Sequence, residues 1–279
     1  MSLSLHDEMR VMLRRDQVQL VRIGRELTLR GLTQRVLDKK TYSCAVDADS
    51  PWGNPLKVLE SALGTLPTKP AVVQVILSNQ FTRYAMIPTS QTLNNEAEEM
   101  AYARHVFSQL YGTSAEAWEI RLHQDAVGAS RLASAIDRQF LQALRALFAA
   151  TGIKLKSVQP QLMTAYNNCH GHLHNREAWF VLAEQDSLCL GLVQQGQWRS
   201  VRTLKVGSDW LEKLPDILDR EVYLSEVDTS SDEIYLWAPE YWRATLPKVM
   251  NWKIHKLQPA IRDSFAADYD EHFALAMCG

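Results

Sequence analysis

Hydrophobic and polar residues alternate over short runs along most of the chain, and stretches with helical periodicity lie between those runs. The short runs are rich in β-branched and aromatic residues, which predicts strands. The main predicted strands cover 18–24, 41–47, 117–123, 154–160, 233–237 and 252–255. Strands and helices that succeed one another in this way are typical of an α/β protein.

Two parts of this pattern predict antiparallel pairing. Between 71 and 88, two β-rich runs flank a polar link at 78–80, which predicts a β-hairpin. Between 178 and 204, three β runs are joined by turns at 185–186 and 195–196. This close spacing predicts an antiparallel meander.

Apolar residues at steps of three and four predict helices elsewhere. In the clearest example, Leu132, Ile136 and Phe140 recur on one helical face from 130 to 151, and Gly152 supplies a stop signal. The other predicted helices cover 56–63, 95–111, 161–168, 208–218 and 259–277.

Composition and charge narrow the functional classes. Of 279 residues, 46% are hydrophobic and 22% are charged, so the chain can bury the core of one large or two modest domains. Thirty basic and 32 acidic residues leave a net charge of −2, which gives no support to nucleic-acid binding. The sequence contains no signal peptide and no apolar run of membrane-spanning length, so we expect a cytoplasmic protein. Four cysteines without a CxxC pair favour reduced thiols.

Motifs of well-characterised catalysis do not occur in the sequence. It has no P-loop, dinucleotide fingerprint, nucleophile elbow or kinase signature, so we assign no catalytic residue and expect no cofactor. Asp47 and Asp49, at the end of a predicted strand, could hold a divalent cation with a phosphate, because paired carboxylates form a hard oxygen site. The following Ser-Pro-Trp-Gly equally suits an ordinary acidic turn.

The segment CHGHLH at 169–174 is the densest cluster of metal-ligating residue types. Imidazole and thiolate bind zinc and copper, so a metal site is one interpretation. The three histidines would share one face only in an extended segment, and the flanking asparagines favour a loop. We therefore favour a polar connection between lobes and expect no metal.

The order of several stretches resembles the actin-like proteins of type IV pilus assembly and type II secretion, those of PilM, GspL and MshI type. The stretches that resemble their first lobe are VVQVILSNQFTRYAMIP, EAEEMAYARHVFSQLYG, AWEIRL and LASAIDRQFLQALRALFAATGIKLKSVQP. AWFVLAEQDSLCLGLVQQGQWRSVRTLKVG resembles the meander that opens their second lobe, and FAADYDEHFALAMCG resembles its closing helix. The resemblance implies a two-lobed, actin-like ATPase (ribonuclease H-like) fold. The first lobe would cover 1–165, with a small inserted hairpin-helix subdomain at about 71–125, and the second lobe 166–279.

The same resemblance directs attention to one turn. Active members of the class place a glycine in a hairpin turn of each lobe, so that backbone N–H groups approach the phosphates while an acid organises the metal. Here the second-lobe turn is Glu184-Gln185-Asp186-Ser187, and the early strands contain no Asp-x-Gly. Side chains at these positions block close approach, and Glu184 with Asp186 repels a phosphate.

Two functions follow as hypotheses. The first is a noncatalytic scaffold or adaptor, peripheral at the inner membrane, that binds a cytoplasmic segment of an inner-membrane pilus or secretion protein; self-association stays open. In relatives of PilM type, a groove in the first lobe takes such a segment, and the matching residues here are Phe81, Arg83, Tyr84, Tyr102 and Phe107. The alternative is a magnesium-dependent ATPase or sugar-kinase-like enzyme that uses Asp47, Asp49, Glu184 and Asp186.

Overall fold

A computed structural model describes residues 7–28, 31–88, 95–123, 130–224, 231–247 and 251–278. The strands in these residues are β1 (Glu8–Leu13), β2 (Gln17–Thr28), β3 (Gly31–Ser43), β4 (Val72–Leu77), β5 (Thr82–Ile87), β6 (Trp118–Leu122), β7 (Arg131–Asp137), β8 (Lys154–Pro160), β9 (Glu177–Ala183), β10 (Ser187–Gln194), β11 (Gln197–Lys205), β12 (Glu233–Trp237) and β13 (Lys253–Lys256). The α-helices are α1 (Gly53–Gly64), α2 (Glu96–Tyr111), α3 (Arg138–Thr151), α4 (Gln161–Leu173), α5 (Trp210–Leu224) and α6 (Ala274–Met277). Among these helices, none is long and apolar enough to cross a membrane.

The chain forms two compact units, each built from separate segments. The first contains Met1–Thr82, Ile136–Thr164 and Pro259–Gly279, and the second contains Arg83–Ala135 and Ala165–Gln258. The division by chain order at residue 165 therefore differs from the spatial grouping in two places. The C-terminal segment groups with the first unit, and most of the inserted subdomain groups with the second.

In the first unit, a five-stranded sheet has the order β3-β2-β1-β4-β8. β1, β2 and β3 pair in antiparallel fashion, whereas β1, β4 and β8 are parallel. One face carries the main core, in which Leu13, Val75 and Phe140 pack together with residues of α1 and α3. On the opposite face, Ile23 packs with Met277 of the C-terminal segment.

A buried ionic network holds that C-terminal segment against β1. Glu8 and Arg10 are 2% and 5% exposed. Arg10 Nε donates to Glu8 Oε1 at 3.2 Å, and Arg25 Nη2 donates to Glu8 Oε2 at 3.1 Å. Arg10 Nη1 donates to the carbonyls of Ala276 and Cys278 at 3.2 and 2.5 Å. Burial acts to raise the pKa of Glu8, but Arg10 and Arg25 outweigh it and hold that pKa below its ordinary value.

The second unit contains two sheets. The larger has the order β11-β10-β9-β12-β13, and β9, β10 and β11 form the predicted antiparallel meander. One face packs on α5, where Trp179, Leu190 and Trp210 share a core. On the other face, Tyr166 of α4 packs on Trp198 with ring centroids 4.6 Å apart and the ring planes tilted by 49°. The smaller sheet has the order β5-β7-β6 and packs on α2.

Several secondary-structure predictions are wrong. β4 and β5 lie in different sheets, so the hairpin predicted at 71–88 does not form. The helix predicted at 130–151 is a strand up to Asp137, and α3 begins only at Arg138. The segment at 169–174 is not a loop, because α4 continues to Leu173. The C-terminal stretch forms two 3-10 helices and the short α6 in place of one long helix.

Candidate functional site

The turn between β9 and β10 is closed by its own backbone and side chains. The N–H of Glu184 donates to the carbonyl of Ser187 at 2.9 Å, and the Ser187 hydroxyl donates to Glu184 Oε2 at 3.2 Å. Glu184 is 4% exposed, whereas Gln185 and Asp186 are exposed. The N–H of Val206 donates to the carbonyl of Asp186 at 2.9 Å. One turn N–H is therefore already bonded, and the exposed tip carries a carboxylate.

This turn reverses the chain without a residue in the left-handed region. Among the described residues, positive φ angles occur at Gln195, Gly112, Gly152 and Gly196. Gln195 and Gly196 form the next turn of the meander, between β10 and β11. Because every residue from 184 to 187 carries a Cβ, an anion cannot approach the main chain as closely as it can at a glycine.

Glu184 lies close enough to Cys189 for its charge to act on that thiol. Burial raises the pKa of the nearby Cys189 thiol to about 12, and the charge of Glu184 adds to that increase. The hydroxyl of Thr203 donates to Cys189 Sγ at 3.7 Å and opposes the increase. Burial is the larger cause of this increase, and the charge of Glu184, which supplies the smaller part, would also oppose a phosphate at the turn.

The sequence predictions missed β1, and with it the turn Arg14-Arg15-Asp16 that joins β1 to β2. The Arg14 N–H donates to the Gln17 carbonyl at 3.0 Å and closes this turn. The Arg15 N–H donates to Gln80 Oε1 at 3.2 Å, and Arg15 Nη2 donates to the Gln80 carbonyl at 3.4 Å. The turn N–H groups of Arg14 and Arg15 are thus bonded within the protein, and neither turn residue is a glycine. The apolar runs on both sides of Arg14-Arg15 are a signal that could have revealed this turn.

Asp47 and Asp49 lie in the first unit, whereas Glu184 and Asp186 lie in the second. Asp47 Oδ1 accepts the backbone N–H groups of Asp49 and Ser50 at 2.9 and 3.3 Å. This is the geometry of an Asx turn, in which the carboxylate stabilises the local loop. Throughout the described part of the chain, no three Asp, Glu, His or Cys side chains are grouped so that they could hold a metal ion.

Three of the five residues assigned to partner binding are buried. Phe81 is 8% exposed and packs on Phe140 with ring centroids 5.1 Å apart. Tyr84 is 5% exposed, and its carbonyl accepts the Tyr111 hydroxyl at 2.8 Å. Phe107 is fully buried in the core of the smaller sheet. Phe81 therefore packs in the core of the first unit, whereas Phe107 packs in the core of the smaller sheet in the second.

Arg83 and Tyr102 are the two members of that set that are partly exposed. Arg83 lies close enough to Tyr111 that its charge lowers the pKa of that hydroxyl, although burial raises the pKa more. Tyr102 is on α2, where the helix packs against the smaller sheet. An ion pair of 2.7 Å between Glu99 and Arg131 ties α2 to β7. Both candidate contact residues therefore belong to the second unit and are partly exposed.

No family model matches the sequence, and no curated protein matches it. Solved structures do match. A Bacteroides thetaiotaomicron protein with an actin-like ATPase fold and unknown function is 12% identical, with 84% of this chain and 82% of that chain covered and a TM-score of 0.54. The chain has the actin-like ATPase fold.

Two further structures with this fold come from secretion and pilus systems. The cytoplasmic domain of EpsL, an inner membrane component of the Vibrio cholerae type II secretion system, is 12% identical, with 90% of each chain covered and a TM-score of 0.54. A PilM–PilN type IV pilus biogenesis complex matches at 13% identity and a TM-score of 0.56, with 82% of this chain and 80% of that chain covered. The predicted actin-like α/β fold is therefore confirmed, and at these identities the likeness establishes the fold alone.

Proposed function

We propose that this protein is a noncatalytic actin-like scaffold or adaptor in type IV pilus or type II secretion assembly. In this proposal it binds partner proteins at the cytoplasmic face of the inner membrane. The observation that carries the proposal is the β9–β10 turn, which has no glycine and presents the carboxylate of Asp186.

The two hairpin turns support the absence of catalysis independently. In the second unit, the Glu184 N–H is bonded to Ser187, and the buried Glu184 carboxylate disfavours an anion. In the first unit, the N–H groups of Arg14 and Arg15 are bonded to Gln17 and Gln80. Hydrolysis of a nucleotide needs preorganised donors at the phosphates, and these N–H groups are already used within the protein.

The proposed docking surface comprises Arg83 and Tyr102 on the β5-β7-β6 sheet and α2. Arg and Tyr are enriched among the residues that dominate protein–protein binding energy. Phe107, in the core of the smaller sheet, supports this surface from inside, whereas Phe81 packs in the core of the first unit. The occupant is a cytoplasmic segment of an inner-membrane assembly protein, by analogy with the systems that the EpsL domain and the PilM–PilN complex belong to.

Fluorescence anisotropy with labelled peptides tests this assignment. The peptides are the cytoplasmic segments of inner-membrane pilus and secretion proteins encoded in the same genome. We expect one peptide to bind, and Arg83→Glu or Tyr102→Ala to weaken it by about 30-fold, which corresponds to a hot-spot loss of about 2 kcal/mol.

Arg104→Glu is the matched control, because Arg104 is an exposed arginine on α2 outside the proposed surface. It should bind the peptide as the wild type does. Equal binding by all three variants would exclude the surface, and no binding of any peptide would exclude the adaptor function.

A further inference from the structure

The C-terminal end of α4 places two histidines of the CHGHLH segment side by side. The N–H of His174 donates to the carbonyl of His170 at 3.0 Å, so the helical hydrogen bonding reaches residue 174. Residues four positions apart lie on one helical face, and the two imidazole centroids are 4.9 Å apart. His172, two positions after His170, is directed to a different face.

The imidazole of His170 lines a pocket of the second unit, and His174 lies next to it. Its volume is about 290 Å³, and it is lined by His123, Tyr166, Asn167, His170, Gly196 and Trp198. His174 lies beside the lining residue Gly196, because a Cβ at that glycine would be 3.3 Å from His174 Nδ1. Tyr166 fixes this arrangement, since its hydroxyl donates to the Gly196 carbonyl at 3.2 Å and its ring packs on His170.

The donor set at this pocket is imidazole with amide and carbonyl groups. Cys169, in the same segment, is 1% exposed and lies in the protein interior, so its thiol is not presented to solvent. His170, His174 and Asn167 are all exposed. Two imidazoles one helical turn apart on one face are the same pair that holds zinc in the HExxH motif.

We propose that His170 and His174 form an open binding site for a divalent transition-metal ion such as Zn²⁺, Ni²⁺ or Cu²⁺. Neutral imidazole suits these ions, whereas Mg²⁺ and Ca²⁺ prefer oxygen ligands. The pocket leaves the remaining coordination positions to water or to an incoming group, with His123 and Asn167 on the surrounding wall. The site is independent of the proposed scaffold function and involves neither the β1–β2 turn nor the β9–β10 turn.

Isothermal titration of the full chain, purified without a histidine tag, tests the site with Zn²⁺, Ni²⁺ and Cu²⁺ salts at a pH where imidazole is neutral. We expect one ion per chain, with Cu²⁺ bound more tightly than Ni²⁺ or Zn²⁺ in the Irving–Williams order. Mg²⁺ should not bind. His170→Gln and His174→Gln should each reduce affinity at least about tenfold, because loss of a supporting partner outside the ligand shell already costs about 10- to 100-fold.

His172→Gln is the matched control, because it removes an exposed imidazole from the same helical turn but from another face. It should bind the metal as the wild type does. All three positions are exposed, and circular dichroism checks that each variant keeps its helix content. No detectable binding, or equal loss in the His172 and His170 variants, would overturn the proposal.

Discussion

Gly191 in the centre of β10 allows the buried ring of Trp198 to lie against the main chain. A Cβ built at position 191 would lie 2.1 Å from Cζ3 and 2.8 Å from Cε3 of that ring. Ordinary contact begins at 3.4 Å, so the ring would have to retreat by about 1.3 Å. Trp198 is 1% exposed and is confined by Tyr166 and Phe180, with ring centroids at 4.6 and 6.3 Å.

Gly191→Ala is therefore expected to destabilise the second unit by about 3 kcal/mol, at the upper end of the range for overpacked cores. Urea unfolding followed by tryptophan fluorescence should show a midpoint lower by about 1 to 3 M, since m is about 1–3 kcal/mol/M. The matched control is Gly171→Ala in α4, where a Cβ meets no heavy atom within 4 Å. That change should stabilise the helix by up to about 1 kcal/mol.

A double-mutant cycle isolates the clash. If the ring is the obstacle, Gly191→Ala should cost about 2 kcal/mol less in a Trp198→Leu background than in the wild type. An alanine at 191 that is as stable as glycine, or a penalty that is unchanged by Trp198→Leu, would refute the reasoning.

Three further predictions concern the first unit. Arg10→Met leaves Glu8 buried without its main partner and should destabilise the unit by about 3–5 kcal/mol in urea unfolding. A variant as stable as the wild type would show that this network does not hold the C-terminal segment against β1. The folded-state pKa of Glu8 lies below the ordinary value of 4.5. The stability that ionised Glu8 gives to the folded state is therefore fully present above pH 4.5 and is lost as the pH falls through the lower folded-state pKa. A pH series of unfolding midpoints should therefore fall less steeply for Glu8→Gln than for the wild type, and equal slopes would contradict the assignment. Asp137→Ala removes the N-cap that accepts the Phe140 N–H at 2.9 Å and should cost about 1 kcal/mol, whereas Asp137→Asn should cost less; equal losses would contradict a capping role.

The sequence pattern predicts local structure well where neighbours along the chain decide it. The meander follows from the close spacing of three β runs and from the turn at Gln195-Gly196, whose two positive φ angles suit a tight hairpin. α2 follows from its cap, because Asn95 accepts the Glu98 N–H at 3.0 Å. In both cases the signal lies within a few residues.

The failures have one physical cause each. Leu132 and Ile136 are four apart, a spacing that places two residues on the same side of both a helix and a strand, so it could not separate β7 from α3. Asp137 is the signal that could have done so, since it is the N-cap of α3. The sequence predicts that β4 pairs with β5 because the two strands are neighbours along the chain. In the structure β4 pairs with β1 and β8, and β5 pairs with β7, and the local sequence carries no signal for partners so far away along the chain.

Non-local contacts also explain what the sequence concealed near the candidate sites. β1 carries Glu8 and Arg10, two charged residues that the sequence alone would place on the surface. Both are buried because Arg25 donates to Glu8 and the C-terminal carbonyls accept from Arg10. α4 continues past Gly171 because Cys169 and Leu173 are buried against the unit, which outweighs poor helix propensity. That continuation is what pairs His170 with His174.

Titration of MgATP into the full chain, followed by calorimetry, is the most direct test of the noncatalytic assignment. With the turns at 184–187 and 14–16 occupied by side chains, we predict no heat of binding at millimolar nucleotide, both in the wild type and in Asp186→Ala. Saturable binding to the wild type that disappears in Asp186→Ala would contradict the account and would establish that this turn holds the metal and phosphates of a nucleotide.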